Sequence, residues 1–354
     1  MTVAKSGAEK EMVRLPAEWE PHKATHLAWP ATWRDWPGKF NAARWAFVEF
    51  ARHIAEVEMV RLAVNDERDE KTARRMLSDA HVNMDNLLFH RFPLDRGWMR
   101  DISPCFVYDA RGRRRCVRFR FNGWAKYDNH KRDARWASEI ATALRLPNVE
   151  ASHAGNAVIL EGGALDCNGR GALLTTEECL LDQQCQTRNP GLTKKDYEAC
   201  FRKYLGITQV IWLNKGICGD DTHGHVDDIC RFVAPDTVVC CYEQNARAHN
   251  YAALAENMER LQGARLESGQ RIKYVPLPMP APLHFRGVLL PASYANFYIL
   301  NGIVVVPTFN DSNDREALGI LAEVFPKRRV IGIHAVDLVW GFGTLHCLSH
   351  EEPA

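Results

Sequence analysis

The sequence predicts an α/β protein built as one large domain. Three observations carry this: short apolar runs rich in Val and Ile recur along the chain, helix-period segments stand between many of them, and no Pro/Gly/Ser linker or low-complexity stretch divides them. The strand-like runs fall at 25–29, 59–64, 105–108, 157–160, 172–175, 209–213, 237–241, 302–306 and 329–333, bounded by Gly, Pro, Asn or Asp. Helical patterns occupy 40–55, 70–80, 131–144, 194–204, 250–262 and 314–325. The fourth of these has a start signal, with Thr193 as N-cap and Asp196 in the first turn. Segments 157–163 and 171–176 flank a Cys-Asn-Gly-Arg-Gly turn, and Asn168 with Gly169 favours a tight hairpin there. Hairpins mixed with crossover helices argue against a purely doubly wound sheet. From 268 to 291, prolines alternate at 276, 278, 280 and 282, which predicts an extended surface connection.

Length alone would admit two or three domains, at roughly 150 residues each. The missing linker favours one. Lys+Arg total 45 against 44 Asp+Glu, a formal charge of +1, with 25% charged and 46% hydrophobic residues. That balance excludes a disordered chain and a whole-protein attraction to nucleic acid or membrane. Eleven cysteines, an odd number with no Cys-x-x-Cys pair, write neither a zinc ribbon nor a redox dithiol. So many free thiols suit a reducing compartment. The first residues lack the apolar run of a signal peptide, and no stretch of about 18 uncharged apolar residues occurs, so a cytoplasmic protein is expected. What remains is a small-molecule enzyme or a protein-binding module.

Four segments could carry chemistry. In 219–228, an extended chain would put His223, His225 and Asp227 on one face, as metal ligands or as a general acid/base beside a carboxylate that binds a cation. Trp98-Met99-Arg100-Asp101 reads as a strand approach ending in a charged pair, and Glu161-Gly162-Gly163 as a carboxylate at a strand end where a ligand can come close. Near the carboxyl end, Gly341 and Gly343 precede His346-Cys347. In a strand His346 would not share the face of Cys347, so a base for that thiol has to come from elsewhere. Carboxylates converging on a Cys and a His need a cation to neutralise them, and the planar, permanently charged guanidinium is the best match.

In their order these motifs resemble the agmatine deiminase and bacterial peptidylarginine deiminase family of the guanidino-group-modifying superfamily. The resemblance runs from Leu15-Pro16-Ala17-Glu18-Trp19-Glu20-Pro21 and Trp29-Pro30 through Trp98-Met99-Arg100-Asp101, Phe121-Asn122-Gly123-Trp124 and Leu160-Glu161-Gly162-Gly163. It continues over 175–181, Arg188-Asn189-Pro190, Gly224-His225-Val226-Asp227, 292–297 and Phe325-Pro326 to His346-Cys347. It implies a five-bladed α/β propeller (pentein) of pseudo-symmetric ββαβ units, as one catalytic domain over 1–354. Five units would take about 71 residues each, although no internal repeat is visible. By position it implies Cys347 as nucleophile, His225 as general acid/base, Asp101 and Asp227 as the guanidinium grip, and Glu161 as the carboxylate that orients His225. Trp98, Arg96 and Asp221 complete the expected substrate-binding set.

The implied reaction converts a guanidine to a urea with loss of ammonia, through a thiouronium on Cys347 and without metal or organic cofactor. Agmatine is the leading substrate, and free or peptidyl arginine the alternative. The family also suggests a homodimer. Arg96 stands where many agmatine deiminases carry an acidic residue, Phe342 replaces the middle glycine before the nucleophile, and Ser349 replaces a common Thr. If it faced the channel, Arg96 would repel a substrate amine and suit a carboxylate. Two readings from other classes stand beside this one. One is a catalytically silent propeller that binds protein surfaces. The other is a metallohydrolase using His223, His225 and Asp227.

Overall fold

The computed structural model describes residues 13–354, so the first part of the stretch inspected for a leader, residues 1–12, lies outside the described residues. Sheets of one repeating design make up most of it: a central strand pairs antiparallel with the strand before it and parallel with the strand after it. A parallel pairing needs a long crossover, and in each sheet a helix supplies it. Cys105–Tyr108, Arg114–Arg118 and Asn148–Glu150 form one such blade, with helix Asp133–Ala143. The next is Asp166–Cys167, Ala172–Thr176 and Gln209–Leu213, with helix Lys194–Leu205. Cys230–Ala234, Thr237–Tyr242 and Lys273–Pro278 follow with helix Tyr251–Gly263, then Tyr298–Ile299, Ile303–Thr308 and Arg329–His334 with helix Asp314–Val324. The fifth blade ties the two ends of the chain together. Its strand Ser349–Pro353 runs antiparallel to His22–Ala28, which pairs in parallel with Met59–Val64 across helix Phe40–Val57. This is the five-bladed α/β propeller that the motif order implied.

Most of the expected elements are present, for local reasons. Helix Phe40–Val57 buries Ala43, Phe47, Phe50, Ala51 and Ile54, the three-and-four spacing of an inward stripe. Thr193 and Asp196 form a reciprocal capping box at the start of Lys194–Leu205. The central strand Ala172–Thr176 is buried at every position, as a strand covered on both faces must be.

Two expectations are corrected. The proline-rich 268–291 is not all connection, because Lys273–Pro278 is the outer strand of its blade, with Pro276 opposite Cys240 and Pro278 opposite Tyr242. An outer strand has a free edge, and prolines without an N–H are tolerated there. The hairpin around Asn168 and Gly169 does form, but its first arm is Asp166–Cys167, since 162–164 has coiled into a helical turn.

That turn is one of five. Just ahead of the first strand of every blade sits a short helical segment: Met99–Ile102, Gly162–Ala164, Val226–Asp228, Tyr294–Asn296 and Leu345–Leu348. Each packs against the next, and the last packs against the first, so the five close a ring at the hub. Each also delivers, or directly follows, one of the residues described next.

Candidate active site

Asp101, Glu161, His225, Asp227 and Cys347 come together on this ring, each less than a tenth exposed. Helical geometry, rather than the extended chain expected around them, aims them inward. Glu161 and His225 are the residues just before their turns, whereas Asp101, Asp227 and Cys347 lie within theirs. His225 stands between two carboxylates, with Nδ1 3.8 Å from Asp101 Oδ1 and Nε2 3.7 Å from Glu161 Oε2. Cys347 Sγ lies 3.7 Å from Asp227 Oδ2 and accepts a hydrogen bond from Asn296 Nδ2 at 3.1 Å.

Two glycines make this density possible. A Cβ on Gly163 would lie 2.5 Å from His225 Nδ1 and 2.9 Å from Asp101 Oδ1, and one on Gly343 would meet the Trp98 ring at 2.7 Å and Cys347 Sγ at 3.2 Å. Gly163 also donates its backbone N–H to Asp101 Oδ1 at 3.0 Å, and Trp124 Nε1 donates to Asp101 Oδ2 at 2.8 Å.

The electrostatics divide these groups by role. Burial, with Asp227 and Glu161 nearby, raises Asp101 to about 6 although His225 opposes it. Burial also works against Glu161, but the Arg188 guanidinium and His225 hold it down at about 2. Arg188 is itself buried, with Nε 3.1 Å from Glu161 Oε1 and its other nitrogens on the carbonyls of Gln186 and Thr222. His225 is raised well above its ordinary value, because Asp101, Cys179 and Glu161 outweigh the burial that disfavours its charge. Cys347 is also raised well above the thiol range, by burial and then by Asp227, Asp228 and Asp101. At neutral pH the resting pair is therefore a protonated imidazole and a protonated thiol in an anionic pocket. Glu161 Oε2, Asp227 Oδ1 and both ring nitrogens of His225 are buried polar atoms with no hydrogen-bond partner among the described residues. Such atoms are costly unless something polar or charged meets them; the two carboxylate oxygens call for N–H donors of the kind a small cation carries, whereas the protonated imidazole itself donates.

The expected periphery lies a short way out. Trp98 covers Gly343 and packs on the Trp36 ring at 5.6 Å. Arg96 does not present a bare charge: Nη2 is 2.8 Å from Asp35 Oδ1, and its guanidinium lies 3.9 Å from the Tyr127 ring centre. Asp221 accepts from Tyr127 Oη at 2.5 Å and pairs with Lys126. Arg96 and Asp221 therefore meet on Tyr127, whose ring neighbours that of Trp124, the indole bonded to Asp101. Phe342 takes a left-handed backbone, φ 67°, and its ring lies near that of Trp340.

The face shared by His223, His225 and Asp227 does not exist. Val226–Asp228 is helical, His223 has φ 66°, and its Nε2 bonds Asp182 Oδ2 at 2.6 Å, away from the cluster. Among the described residues, donor atoms within 4.8 Å of one another group as Glu161/Cys179/His225, Asp182/Cys185/His223 and Asp227/Asp228/Cys347. None of these unites the three residues of the metallohydrolase reading. Sequence reasoning also passed over Asn296, Arg188 and Cys179. Asn296 shows only as part of the 292–297 motif, and its Oδ1 accepts from Thr344 Oγ1 at 2.6 Å and from the backbone N–H of His346 and Cys347. It thus shapes the turn that carries Cys347 as well as touching its sulfur.

Comparison with known proteins places this arrangement. The model of the Porphyromonas-type peptidyl-arginine deiminase family matches residues 14–353. The agmatine deiminase of Ectopseudomonas mendocina is 33% identical over 100% of this chain and 99% of its own length. Among solved structures, the agmatine deiminase of Enterococcus faecalis superposes with a TM-score of 0.87 at 29% identity, covering 97% of this chain and 96% of that one. A C. jejuni agmatine deiminase with substrate bound gives 0.85 at 26% identity, over 99% and 98% of the two chains.

Proposed function

The chain belongs to the Porphyromonas-type peptidyl-arginine deiminase family, and on that premise we propose that it is an agmatine deiminase, hydrolysing agmatine to N-carbamoylputrescine and ammonia. It is a hydrolase of amidine C–N bonds. The observation that carries the substrate class is the pair of partnerless buried carboxylate oxygens on Glu161 and Asp227, the latter a residue whose other oxygen lies 3.7 Å from Cys347 Sγ.

The resting charges support a substrate-assisted mechanism. A guanidinium entering between Asp101 and Asp227 brings positive charge beside Sγ and favours the thiolate, the thiol's proton passing to solvent. The thiolate adds to the central guanidinium carbon. His225, already protonated and backed by Glu161, gives its proton to the departing nitrogen, and ammonia leaves a thiouronium on Cys347. Neutral His225 then takes a proton from water, whose oxygen bonds the same carbon, and as the C–S bond breaks the remaining proton of that oxygen passes to the departing sulfur, releasing the ureido product and restoring the Cys347 thiol. Asn296 Nδ2, 3.1 Å from Sγ, stabilises the sulfur as anion and as leaving group.

For the other end of the substrate, the Arg96–Asp35 pair balances a charge that would otherwise repel an amine. That weakens the repulsion expected of Arg96 and leaves the site open to agmatine. Ammonia release from agmatine, free arginine and a peptide with carboxyl-terminal arginine tests this directly. Agmatine should give the highest kcat/KM, and preference for either arginine substrate would replace it. A role in putrescine biosynthesis and a cytoplasmic location belong to the same reading. The location is supported by eleven cysteines, all free, two of them exposed.

The pH dependence follows from Asp101, which is raised to about 6 and grips the cation only when ionised. As pH falls through that value the carboxylate takes up a proton and the attraction is lost. Hence kcat/KM for agmatine should drop about tenfold per pH unit on the acid side. A flat profile down to about pH 5 would show that Asp101 stays ionised or does not hold the substrate.

A further inference from the structure

Beneath the pocket lies a second buried layer that the chemistry above does not use. His346, the neighbour of the nucleophile, is 1% exposed and sits between two carboxylates, with Nδ1 2.6 Å from Asp227 Oδ2 and Nε2 2.8 Å from Glu18 Oε2. Glu18 is anchored in turn. Its Oε2 accepts from Arg231 Nη2 at 2.8 Å and Arg100 Nη2 at 3.4 Å, and its Oε1 accepts from the backbone N–H of Ile299 at 2.8 Å. Ionised carboxylates only accept hydrogen bonds, and a neutral imidazole has one N–H. Burial and the Arg100 and Arg231 guanidiniums push His346 well below the ordinary imidazole value, so its single N–H serves one carboxylate, and the short contacts on both ring nitrogens fix the ring between Glu18 and Asp227.

We propose that His346, backed by Glu18, is a positioning residue that pins one oxygen of Asp227 and leaves the other aimed at the substrate guanidinium. Asp227 Oδ2 is the atom that His346 engages, and Oδ1 is the one left without a partner. Without that pin, Asp227 would sit unconstrained near Asp101 and Asp228, and like charges would turn it away or protonate it. Because His346 precedes Cys347 on the same helical turn, it also sets the grip and the nucleophile in register, 3.7 Å apart. This explains why a histidine stands beside the cysteine even though it is not its base.

The inference rests on the guanidine reading, and its test separates the two. Rates of inactivation by 2-chloroacetamidine, a cation, and iodoacetamide, a neutral reagent, both report the Cys347 thiol, but only the first needs the carboxylate grip. In the His346→Asn enzyme, whose shorter side chain does not reach both carboxylates, the preference for the cation should fall about tenfold or more. The iodoacetamide rate should stay within about twofold of wild type, and KM for agmatine should rise more than kcat falls. Glu18→Gln should shift the same ratio less, and it decides the matter if His346→Asn does not fold. An unchanged ratio in a folded variant, or equal losses with both reagents, overturns the proposal. Wild-type enzyme with no preference for the cation would overturn the guanidine reading itself, and this inference with it.

Discussion

Replacing Cys347 by alanine should abolish ammonia release from agmatine, by at least about 10⁴-fold in kcat, while the chain still folds. No second thiol can take over. Cys179, another sulfur near the cluster, groups with His225 and Glu161 and is not among the donors around Asp227. The substitution removes one buried sulfur from a turn that Asn296 and Thr344 still hold, so stability should change by about 1 kcal/mol. Thermal unfolding beside single-turnover ammonia assays would check both halves. Residual turnover within about tenfold of wild type would mean that another group is the nucleophile.

Asp227→Asn should be the next most damaging change and should act on binding first. The carboxamide nearly matches the carboxylate in shape but gives the guanidinium no charge to pair with, and it disturbs the contact with His346 Nδ1. Breaking one side of a buried, hydrogen-bonded ion pair costs about 2–5 kcal/mol, so kcat/KM should fall by about 1.5 to 3.5 orders of magnitude. Thiol chemistry should survive: without the Asp227 charge the Cys347 thiol sheds one of the anions that keep it protonated, and iodoacetamide should react at least as fast as in wild type. Loss of reactivity toward that neutral reagent would show that Asp227 supports the nucleophile rather than the cation. A kcat/KM close to wild type would remove Asp227 from the grip.

Both predictions depend on residues that the motif order could identify but whose geometry it misread. The segments around Asp101, Asp227 and Cys347 look like strand ends or an extended run, because short turns of three or four residues carry no periodicity of their own. Reading 219–228 as extended grouped His223 with His225 and opened a metal hypothesis. In the fold, one helical turn and a left-handed His223 separate them. The same error hid His346, which in a strand would face away from Cys347 and in a helical turn reaches Asp227 instead. Arg96 shows a different limit. Its departure from the family pattern is visible in the sequence, but Asp35, 61 positions earlier, decides whether its charge meets a substrate.

The fivefold architecture is the clearest case of information the chain carries without displaying. Every blade repeats the same pairing scheme, yet the hub turns read MRDI, GGA, VDD, YAN and LHCL and share no residue pattern. Each has been occupied by a different part of one site. By itself the sequence determined the strands and helices, through apolar period and caps set by near neighbours, and through the ordered motifs it determined the family and pointed to the residues proposed to react. Only the tertiary structure decided which side chains meet. Distances of 3 to 4 Å among Asp101, Glu161, His225, Asp227 and Cys347 arise when Ser349–Pro353 pairs with His22–Ala28 and closes the ring. That long-range closure brings the five turns together, and the burial it creates shifts their protons. Neither is written in any local stretch of residues.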